Sequence, residues 1–168
     1  MSEKTGGLSD AALLAQCEVD TLRASGPGGQ KRNKTESAVR LRHGPSGIIV
    51  IASESRSQAE NRVRALKRLR QALALRLRHE VDNTTLVTLR AAIGKDGRLR
   101  MGLRDARYLP IAGAVLDLLA AHEGSVSDVA KSLGLTTGNL AGFVTADEHL
   151  MAEANRIRAS FGLKPLRE

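Results

Sequence analysis

The fold is decided by residues 23–58, which read RASGPGGQKRNKTESAVRLRHGPSGIIVIASESRSQ. Apolar side chains alternate with basic ones at Val39 and Leu41, and an apolar run covers 48–51. Between these stretches lies HGPSG, residues 43–47, a cluster of turn-forming residues. Two short strands around a tight connection are the structure that this pattern predicts, and together they make a β-hairpin.

The chain before the hairpin is predicted to hold a short helix, a strand and a loop. Ser9 and Asp10 precede apolar residues at helical spacing, which favours a capped helix with Cys17 as an unreactive, small apolar side chain on it. Residues 19–25 alternate well enough for a strand. Residues 25–34, SGPGGQKRNK, are too rich in glycine and charge for either element, so they predict an exposed basic loop. A helical turn is expected over Thr35 to Ala38.

After the hairpin, Ser57 begins a stretch with the pattern of a long amphipathic helix. Its apolar positions recur at steps of three and four residues: Val63, Leu66, Leu69, Leu73 and Leu77. Its other face is basic: Arg62, Arg64, Lys67, Arg68, Arg70 and Arg76. Such a face is either a solvated surface or an RNA contact, and both interpretations stay open.

The second half of the chain is predicted to be mainly helical. Residues 80–104 indicate a linker with one strand pair, 109–121 an apolar helix, 125–144 a helix, a turn and a helix, and 147–161 a last helix. The fold class is therefore α/β. We expect a small mixed β-sheet domain with a long basic helix over residues 1–80, a linker or extra strands over 81–104, and a small all-helical unit over 105–168.

Composition and charge restrict the function. Only 2% of the 168 residues are aromatic, which argues against RNA recognition by stacking on an aromatic platform. The net charge is +8, but residues 23–79 hold 14 Lys and Arg against 3 acids, while residues 80–168 hold 11 of each sign. A basic excess confined to one third of the chain favours a phosphate-rich partner over a merely soluble basic surface.

Other classes of protein and site are not expected. The first ten residues lack the basic start and apolar run of a secretory signal, and no apolar run approaches the roughly 18 residues of a membrane span, so we expect a cytoplasmic protein with no membrane partner. One cysteine and four scattered histidines predict neither a metal site nor a bound cofactor. No Gly-x-Ser-x-Gly elbow or phosphate-binding Gly-Lys-Ser/Thr loop occurs.

A set of short motifs supplies a more specific hypothesis. They are, in order, Arg23-Ala24-Ser25-Gly26-Pro27-Gly28-Gly29-Gln30, Asn33-Lys34-Thr35 with Ser37-Ala38-Val39, Pro45-Ser46-Gly47-Ile48, and Arg56-Ser57-Gln58 with Asn61. Their order and spacing resemble the catalytic Gly-Gly-Gln (GGQ) domain of class I peptide-chain release factors over about 60 residues. Within that group the chain is most similar to short, codon-independent members that rescue stalled ribosomes, since 22 residues precede the motif region and the codon-reading tripeptides Pro-x-Thr and Ser-Pro-Phe do not occur.

The resemblance implies an activity and the residues that carry it. It implies hydrolysis of the peptidyl-tRNA ester on the large ribosomal subunit, with Gly28, Gly29 and Gln30 as the catalytic residues. It also implies methylation of the Gln30 amide by a glutamine methyltransferase. Contacts with ribosomal RNA or tRNA phosphates are expected from Lys31, Arg32, Lys34, Arg56, Arg62, Arg64, Lys67 and Arg68. For Arg56-Ser57-Gln58, a helix cap with an RNA contact is favoured over a catalytic role.

Two alternatives concern the carboxy-terminal unit. Its helix-turn-helix pattern allows DNA reading by Thr136, Thr137 and Asn139, but residues 125–145 hold one Lys and one Asp, so protein packing is favoured and DNA is not expected as a partner. Residues 145–168 also lack the long basic tail that many rescue hydrolases carry. That difference keeps open a non-catalytic, RNA- or ribosome-binding regulatory protein that retains the fold.

Overall fold

The structure, a computed structural model, describes residues 8–23 and 37–167. The chain divides into two compact units, Met1–Leu73 and Ala74–Glu168. The division falls within the last turns of the long helix, a few residues before the expected boundary at residue 80. The three-part division at 80 and 104 stays a prediction.

The first unit holds a three-stranded sheet in its described residues. Helix α1 (Asp10–Ala15) leads into strands β1 (Cys17–Leu22), β2 (Ala38–His43) and β3 (Ile49–Ala52), which pair antiparallel in that order. The predicted hairpin is confirmed as β2 and β3, with Val39 paired to Ala52. Its turn closes through the Gly47 N–H, which donates to the His43 carbonyl at 2.8 Å, with Gly47 at a φ of 70° that glycine adopts without strain.

Helix α2 (Gln58–Arg76) confirms the predicted long helix. Its first turn is capped by Ser57, whose Oγ accepts from the Glu60 N–H at 3.3 Å. The buried face of this helix carries Ala65, Leu66, Leu69 and Leu73. Val63 was expected on this face and is instead 68% exposed. The buried residues of the helix follow steps of four, from Asn61 through 65, 69 and 73, and residue 63 lies halfway between two of them.

The second unit contains helices α3 (Asn83–Ala92), α4 (Tyr108–Ala121), α5 (Val126–Leu133), α6 (Thr137–Thr145) and α7 (Glu148–Ser160). The predicted helix, turn and helix are α5 and α6, joined through Gly134 at a φ of 72°. Apolar residues of all five helices form one core, in which α4 is buried along most of its length. The α/β fold class is thus confirmed: a small sheet domain with a long helix, followed by helices.

Three local expectations differ from the structure. Cys17 begins strand β1 instead of lying on the first helix, because α1 ends at Ala15 and its cap residue Gln16 turns the chain. Ala38 begins β2 and is not part of a helical turn. Residues 81–104 hold helix α3, and the expected strand pair is reduced to a single bridge between Ile93 and Leu99. Asp82 caps α3 by accepting from the Thr85 N–H, a start signal that the sequence analysis overlooked.

Within the described residues, no single helix is long and apolar enough to cross a membrane. Only α4 and α5 taken together reach that length and composition, and this pair is bent by 117°.

Candidate functional site

The predicted catalytic residues lie outside the described part of the chain. This holds for Gly28, Gly29 and Gln30, and equally for the predicted RNA-binding residues Lys31, Arg32 and Lys34. The structure does describe both ends of the segment that carries them. Leu22 and Ala38 are Cα partners at the end of the β1–β2 ladder. Leu22 and Ala38, which lie on either side of the predicted catalytic segment in sequence, are therefore neighbours in the sheet.

The return point is held by the side chain of Asn61, which is fully buried on α2. Its Nδ2 donates to the Ser37 carbonyl at 2.7 Å and to the Ser55 carbonyl at 2.8 Å. Its Oδ1 accepts from the Ser55 N–H at 3.0 Å. The amide of Asn61 thus joins Ser37, which comes shortly after the predicted loop, to Ser55, which comes shortly before α2.

The position of Asn61 explains why an amide is required there. The side chain occupies the first turn of the buried face of α2, where an apolar residue would leave two carbonyls and one N–H without partners. A buried backbone group without a hydrogen bond costs about 1–3 kcal/mol. Asparagine offers two donors and an acceptor in one plane, which fits this set of partners. Asn61 belongs to the last of the motifs, and its role was not predicted; the signal available in the sequence is a polar residue at the start of the apolar face of a helix.

The β1–β2 ladder also carries cross-strand ion pairs. Arg40 donates from Nε and Nη2 to Asp20 Oδ2 at 3.0 and 2.7 Å, and Arg42 lies 3.5 Å from Glu18. Each pair joins residues that are direct Cα partners on β1 and β2. Two arginines of the basic third are therefore balanced by acids of the amino-terminal segment.

Arg70 is a third arginine with a structural partner. Its guanidinium donates to Asp10 at 2.7 Å and to the Leu8 carbonyl at 2.6 Å, which fastens the start of α1 to α2. Part of the positive charge counted along residues 23–79 is thus neutralised by acidic side chains in the folded unit. Among the described residues of 56–68, five basic side chains stay exposed.

The other predicted RNA-binding residues lie on α2 or just before it, and all of them are exposed: Arg56, Arg62, Arg64, Lys67 and Arg68. The structure brings three of them together, since Arg64, Lys67 and Arg68 line an open concavity of about 320 Å³ with Glu54 and Gln71. We call this concavity the α2 basic groove. Its guanidinium and ammonium groups suit phosphate oxygens, which they bind through charge-assisted hydrogen bonds.

The residues of the α2 basic groove differ in how freely they can bind a ligand. Arg68 donates to Glu54 and to the Ile51 carbonyl, and its hydrogen bond to Glu54 is the main reason why the pKa of that carboxyl is lowered. Arg64 lies 3.9 Å from Glu60, a weak pair on the helix surface. Lys67 has no hydrogen-bond or ion-pair partner among residues 8–23 and 37–167, and the same is true of Arg56 and Arg62. Among the described residues of the first unit that were predicted to bind RNA, these three cations are therefore free to meet a phosphate.

The far end of the sheet is stabilised by a buried histidine. His43 Nε2 lies 2.9 Å from Gln16 Oε1, and its Nδ1 lies 2.7 Å from Ser46 Oγ. Because an amide oxygen only accepts, the Nε2 carries the proton and the Ser46 hydroxyl donates to Nδ1. Burial lowers the pKa of His43, so the ring is neutral at physiological pH. This arrangement stabilises the turn; it offers no catalytic base to the segment at the other end of the ladder.

Metal and thiol chemistry find no support in the described residues. Between residues 8–23 and 37–167, no group of three or more His, Cys, Asp or Glu is arranged to hold a metal ion. Burial raises the pKa of Cys17, and its thiol donates to the Leu13 carbonyl at 3.2 Å, so the sulfur stays protonated at neutral pH.

The residues considered for DNA reading are engaged inside the second unit. Asn139 accepts from the Leu99 N–H at 2.9 Å and donates to the Leu99 carbonyl at 3.3 Å. Thr136 caps α6 by accepting from the Asn139 N–H at 3.1 Å. Of the three residues considered for DNA reading, Asn139 is therefore committed to the backbone of Leu99 and Thr136 to the helix cap.

Comparison of the sequence with models of known protein families gives a match. The family model described as the RF-1 domain matches residues 14–101, slightly more than half of the chain. This chain belongs to the RF-1 domain family. The membership confirms the resemblance to the catalytic domain of class I release factors.

The relatives to which this chain is similar include proteins named peptide chain release factor 1. The chain is 45% identical over 85 residues to peptide chain release factor 1 of Burkholderia multivorans, and 45% identical over 80 residues to that of Gluconobacter oxydans. Peptide chain release factor 1 of Paraburkholderia phytofirmans is 44% identical over 84 residues. These alignments cover 48 to 51% of the chain but 23 to 24% of the relatives. The chain thus spans about a quarter of the length of the relatives it matches.

The extent of the RF-1 domain match adds one observation. It begins within α1 and ends at residue 101, so it includes the Gly28-Gly29-Gln30 segment, Asn61 and the whole of α3. It leaves out α4 to α7. Those four helices are the part of this chain for which the family gives no account.

Proposed function

We propose that this chain hydrolyses the ester bond of peptidyl-tRNA on the large ribosomal subunit, and that it does so without reading a codon. The observation that carries the proposal is the position of Gly28-Gly29-Gln30. The tripeptide lies within the RF-1 domain match, in a segment whose two ends meet at the paired residues Leu22 and Ala38. Asn61 fixes the base of that segment, which is what a loop needs if its tip has to enter a crowded reaction centre.

The residue types suit the reaction. Water attacks the ester carbonyl carbon, the bond to the tRNA ribose oxygen breaks, and the products are a peptide carboxylic acid and a tRNA hydroxyl. Glycines at 28 and 29 let the backbone approach the terminal nucleotide closely, because they carry no side chain. The Gln30 N–H is the donor proposed for the charge that develops on the leaving oxygen, and removing one such donor typically costs roughly 100- to 1000-fold in rate. The Gln30 side chain orients the water without acting as a base.

RNA contacts are proposed for the basic residues around this segment. Lys31, Arg32 and Lys34 flank the tripeptide in sequence, and the α2 basic groove lies in the same unit. Phosphate contacts of this kind position a protein on its nucleic acid and make binding strongly dependent on salt. The ribosomal RNA of the large subunit and the peptidyl-tRNA are the partners that the proposal requires. It also places the chain in the cytoplasm and makes Gln30 a substrate for a glutamine methyltransferase, which mass spectrometry of the natively expressed protein tests.

Codon independence is the finer part of the proposal. The relatives are named peptide chain release factor 1, and the chain matches about a quarter of their length. The 168 residues contain neither Pro-x-Thr nor Ser-Pro-Phe. Helices α4 to α7 form a packed core with α3, and for this unit we propose contacts with the ribosome in place of codon contacts.

The test is release of labelled formyl-methionine from ribosomes that hold initiator formyl-methionyl-tRNA, with an empty, a sense or a stop codon in the A site. We expect similar release in all three states, and loss of release in Gln30→Ala and Gly29→Ala while ribosome binding persists. Gly138→Ala is the matched control, because an added Cβ at that helical glycine meets no atom within 4 Å.

Two results would change the conclusion. Release at stop codons alone would contradict codon independence and leave the hydrolase standing. If intact ribosomes and separate large subunits both fail to release under conditions where a control hydrolase works and Gln30 is methylated, the catalytic proposal is wrong. The non-catalytic, ribosome-binding interpretation then replaces it.

A further inference from the structure

The second unit contains an exposed basic segment that charge counting along the chain conceals. Residues 80–168 are neutral as a whole, but residues 90–107 hold six Lys and Arg against two acids. Residues 108–168 hold five against seven. The six cations are all exposed: Arg90, Lys95, Arg98, Arg100, Arg104 and Arg107. We call residues 90–107 the basic segment of the second unit.

The first part of this segment is a tight, well-defined turn. Ile93 and Leu99 form an antiparallel bridge, and the Gly94 N–H donates to the Arg98 carbonyl at 2.9 Å. The turn closes where the Gly97 N–H donates to the Gly94 carbonyl, with Gly97 at a φ of 69°. Lys95 and Arg98 are therefore both exposed on one short hairpin-like turn.

Two anchors fix the turn to the helical core. The side chain of Leu99 is 2% exposed and belongs to the apolar core of the unit. The amide of Asn139 on α6 holds the Leu99 N–H and carbonyl as a second strand would. Because the backbone is already ordered, little conformational entropy is lost when the exposed cations bind a ligand.

Half of the cations have no competing partner. Arg100 lies 3.4 Å from Asp96, and Arg107 lies 2.8 Å from Asp105. Lys95, Arg98 and Arg104 have no hydrogen-bond or ion-pair partner within residues 8–23 and 37–167. Three unpaired positive charges on a rigid, exposed segment form a surface for an anionic partner.

We propose that the basic segment of the second unit is a second RNA-binding surface, which takes the phosphodiester backbone of ribosomal RNA. The segment contains no aromatic residue, so it suits phosphates and not stacked bases. Arginine predominates, and its planar guanidinium matches phosphate oxygens with two parallel hydrogen bonds. DNA is disfavoured because the amide of Asn139, the residue that would read a base edge, is bonded to the backbone of Leu99. The choice of ribosomal RNA rests on the proposed function, and it gives the second unit a role in recognising the ribosome.

The experiment measures binding of the full chain to purified large ribosomal subunits between about 0.05 and 0.4 M KCl, the range in which phosphate contacts are lost. The test variant combines Lys95→Ala, Arg98→Ala and Arg104→Ala. The control variant combines Lys131→Ala, Lys164→Ala and Arg167→Ala, three exposed residues of the same unit whose loss changes the charge equally. Far-ultraviolet circular dichroism and thermal melting show that both variants fold.

We expect the slope of log affinity against log salt to be about two units shallower in the test variant, at roughly 0.7–0.9 per lost phosphate contact. At 0.1 M salt this change corresponds to binding roughly 100-fold weaker. The control variant should keep the slope of the unmodified chain. Equal slopes in the two variants would overturn the proposal, and so would undiminished binding in the presence of an excess of ribosomal RNA.

A competition experiment separates RNA from other anionic partners. Ribosomal RNA should displace the chain from large subunits, whereas duplex DNA and phosphatidylglycerol vesicles should displace it only at much higher phosphate concentration. Equal displacement by DNA or vesicles would show a general anion-binding surface and overturn the choice of RNA.

Peptide release distinguishes this proposal from the proposed function. If the unmodified chain releases peptide and the test variant binds like the control, the hydrolase stands and the second RNA surface is wrong. If no protein releases peptide but the slope falls only in the test variant, the surface stands and the hydrolase is wrong.

Discussion

Replacing Asn61 tests whether its hydrogen bonds stabilise the end of the sheet next to the predicted catalytic segment. We consider Asn61→Ala and Asn61→Asp. Alanine removes three hydrogen bonds to Ser37 and Ser55 and leaves a small cavity. Aspartate has almost the same shape, but it places an acceptor where Nδ2 donates to two carbonyls at 2.7 and 2.8 Å.

The magnitudes follow from these contacts. At a net 0.5–1.5 kcal/mol for each hydrogen bond, the three bonds lost in Asn61→Ala correspond to about 3 kcal/mol. Asn61→Asp should cost at least as much, roughly 3–5 kcal/mol, because a buried carboxylate faces two carbonyl oxygens without a counter-charge. For a unit of this size, 3 kcal/mol lowers the melting temperature by roughly 12–24 °C.

Amide hydrogen exchange measures the loss of stability in each of the two units separately. Amides of the β1–β2 ladder, such as those of Val39 and Leu41, should exchange about 100-fold faster in Asn61→Ala, whereas the amides of α4 should be unchanged. Gln58 is an exposed residue in the first turn of the same helix. Gln58→Ala should change the free energy of opening that exchange reports by less than about 0.5 kcal/mol.

Activity provides a second readout for Asn61. Peptide release should fall by about 100-fold at temperatures where the variant is folded, because a displacement of about 1 Å at the reacting groups costs that much. Protection of the ladder in Asn61→Asp equal to that of the unmodified chain would refute the reasoning, since the shape of the side chain would then matter and its donors would not.

Three further predictions concern stability. The folded state holds the pKa of His43 below its ordinary 6.5, so the unfolded chain binds a proton first, and the melting temperature should fall as pH drops below about 6.5; His43→Gln should remove this part of the pH dependence. Asp117→Ala leaves the guanidinium of Arg78, 2.9 Å away, without its buried counter-charge and should cost about 3 kcal/mol in urea unfolding, more than Arg78→Met. In Gly113→Ala the new Cβ would lie 2.8 Å from a carbonyl oxygen of α2 and should cost about 1–3 kcal/mol in thermal melts, whereas Gly142→Ala, in open space on α6, should gain about 0.5–1 kcal/mol.

The sequence was most informative where structure is local. The turn at residues 43–47, the helix that starts at Ser57 and the pair α5 and α6 were all predicted, because turn residues, helix caps and apolar periodicity act over a few positions. The Gly28-Gly29-Gln30 tripeptide was likewise found from its neighbours in sequence. Its family is confirmed by the RF-1 domain match, whereas its catalytic role stays a proposal.

Contacts between distant residues were not predicted. Asn61 meets Ser37 across 24 positions, Asn139 meets Leu99 across 40, and Arg40 and Arg70 meet acids near the amino terminus. In each case the sequence shows a polar residue but not the partner that satisfies it. The partner is set by how strands and helices pack.

The sequence by itself determined the α/β class, the long basic helix and the motif that carries the proposed chemistry, because these depend on residue type and spacing along the chain. The tertiary structure decided which charges stay free. Arg40, Arg42 and Arg70 are balanced by acids that lie far away in sequence. Lys95, Arg98 and Arg104, by contrast, stay exposed and have no partner among the described residues. They belong to residues 80–168, whose net charge is zero when it is counted along the sequence. The reason is physical: an electrostatic interaction depends on distance in space, and only the folded chain fixes that distance.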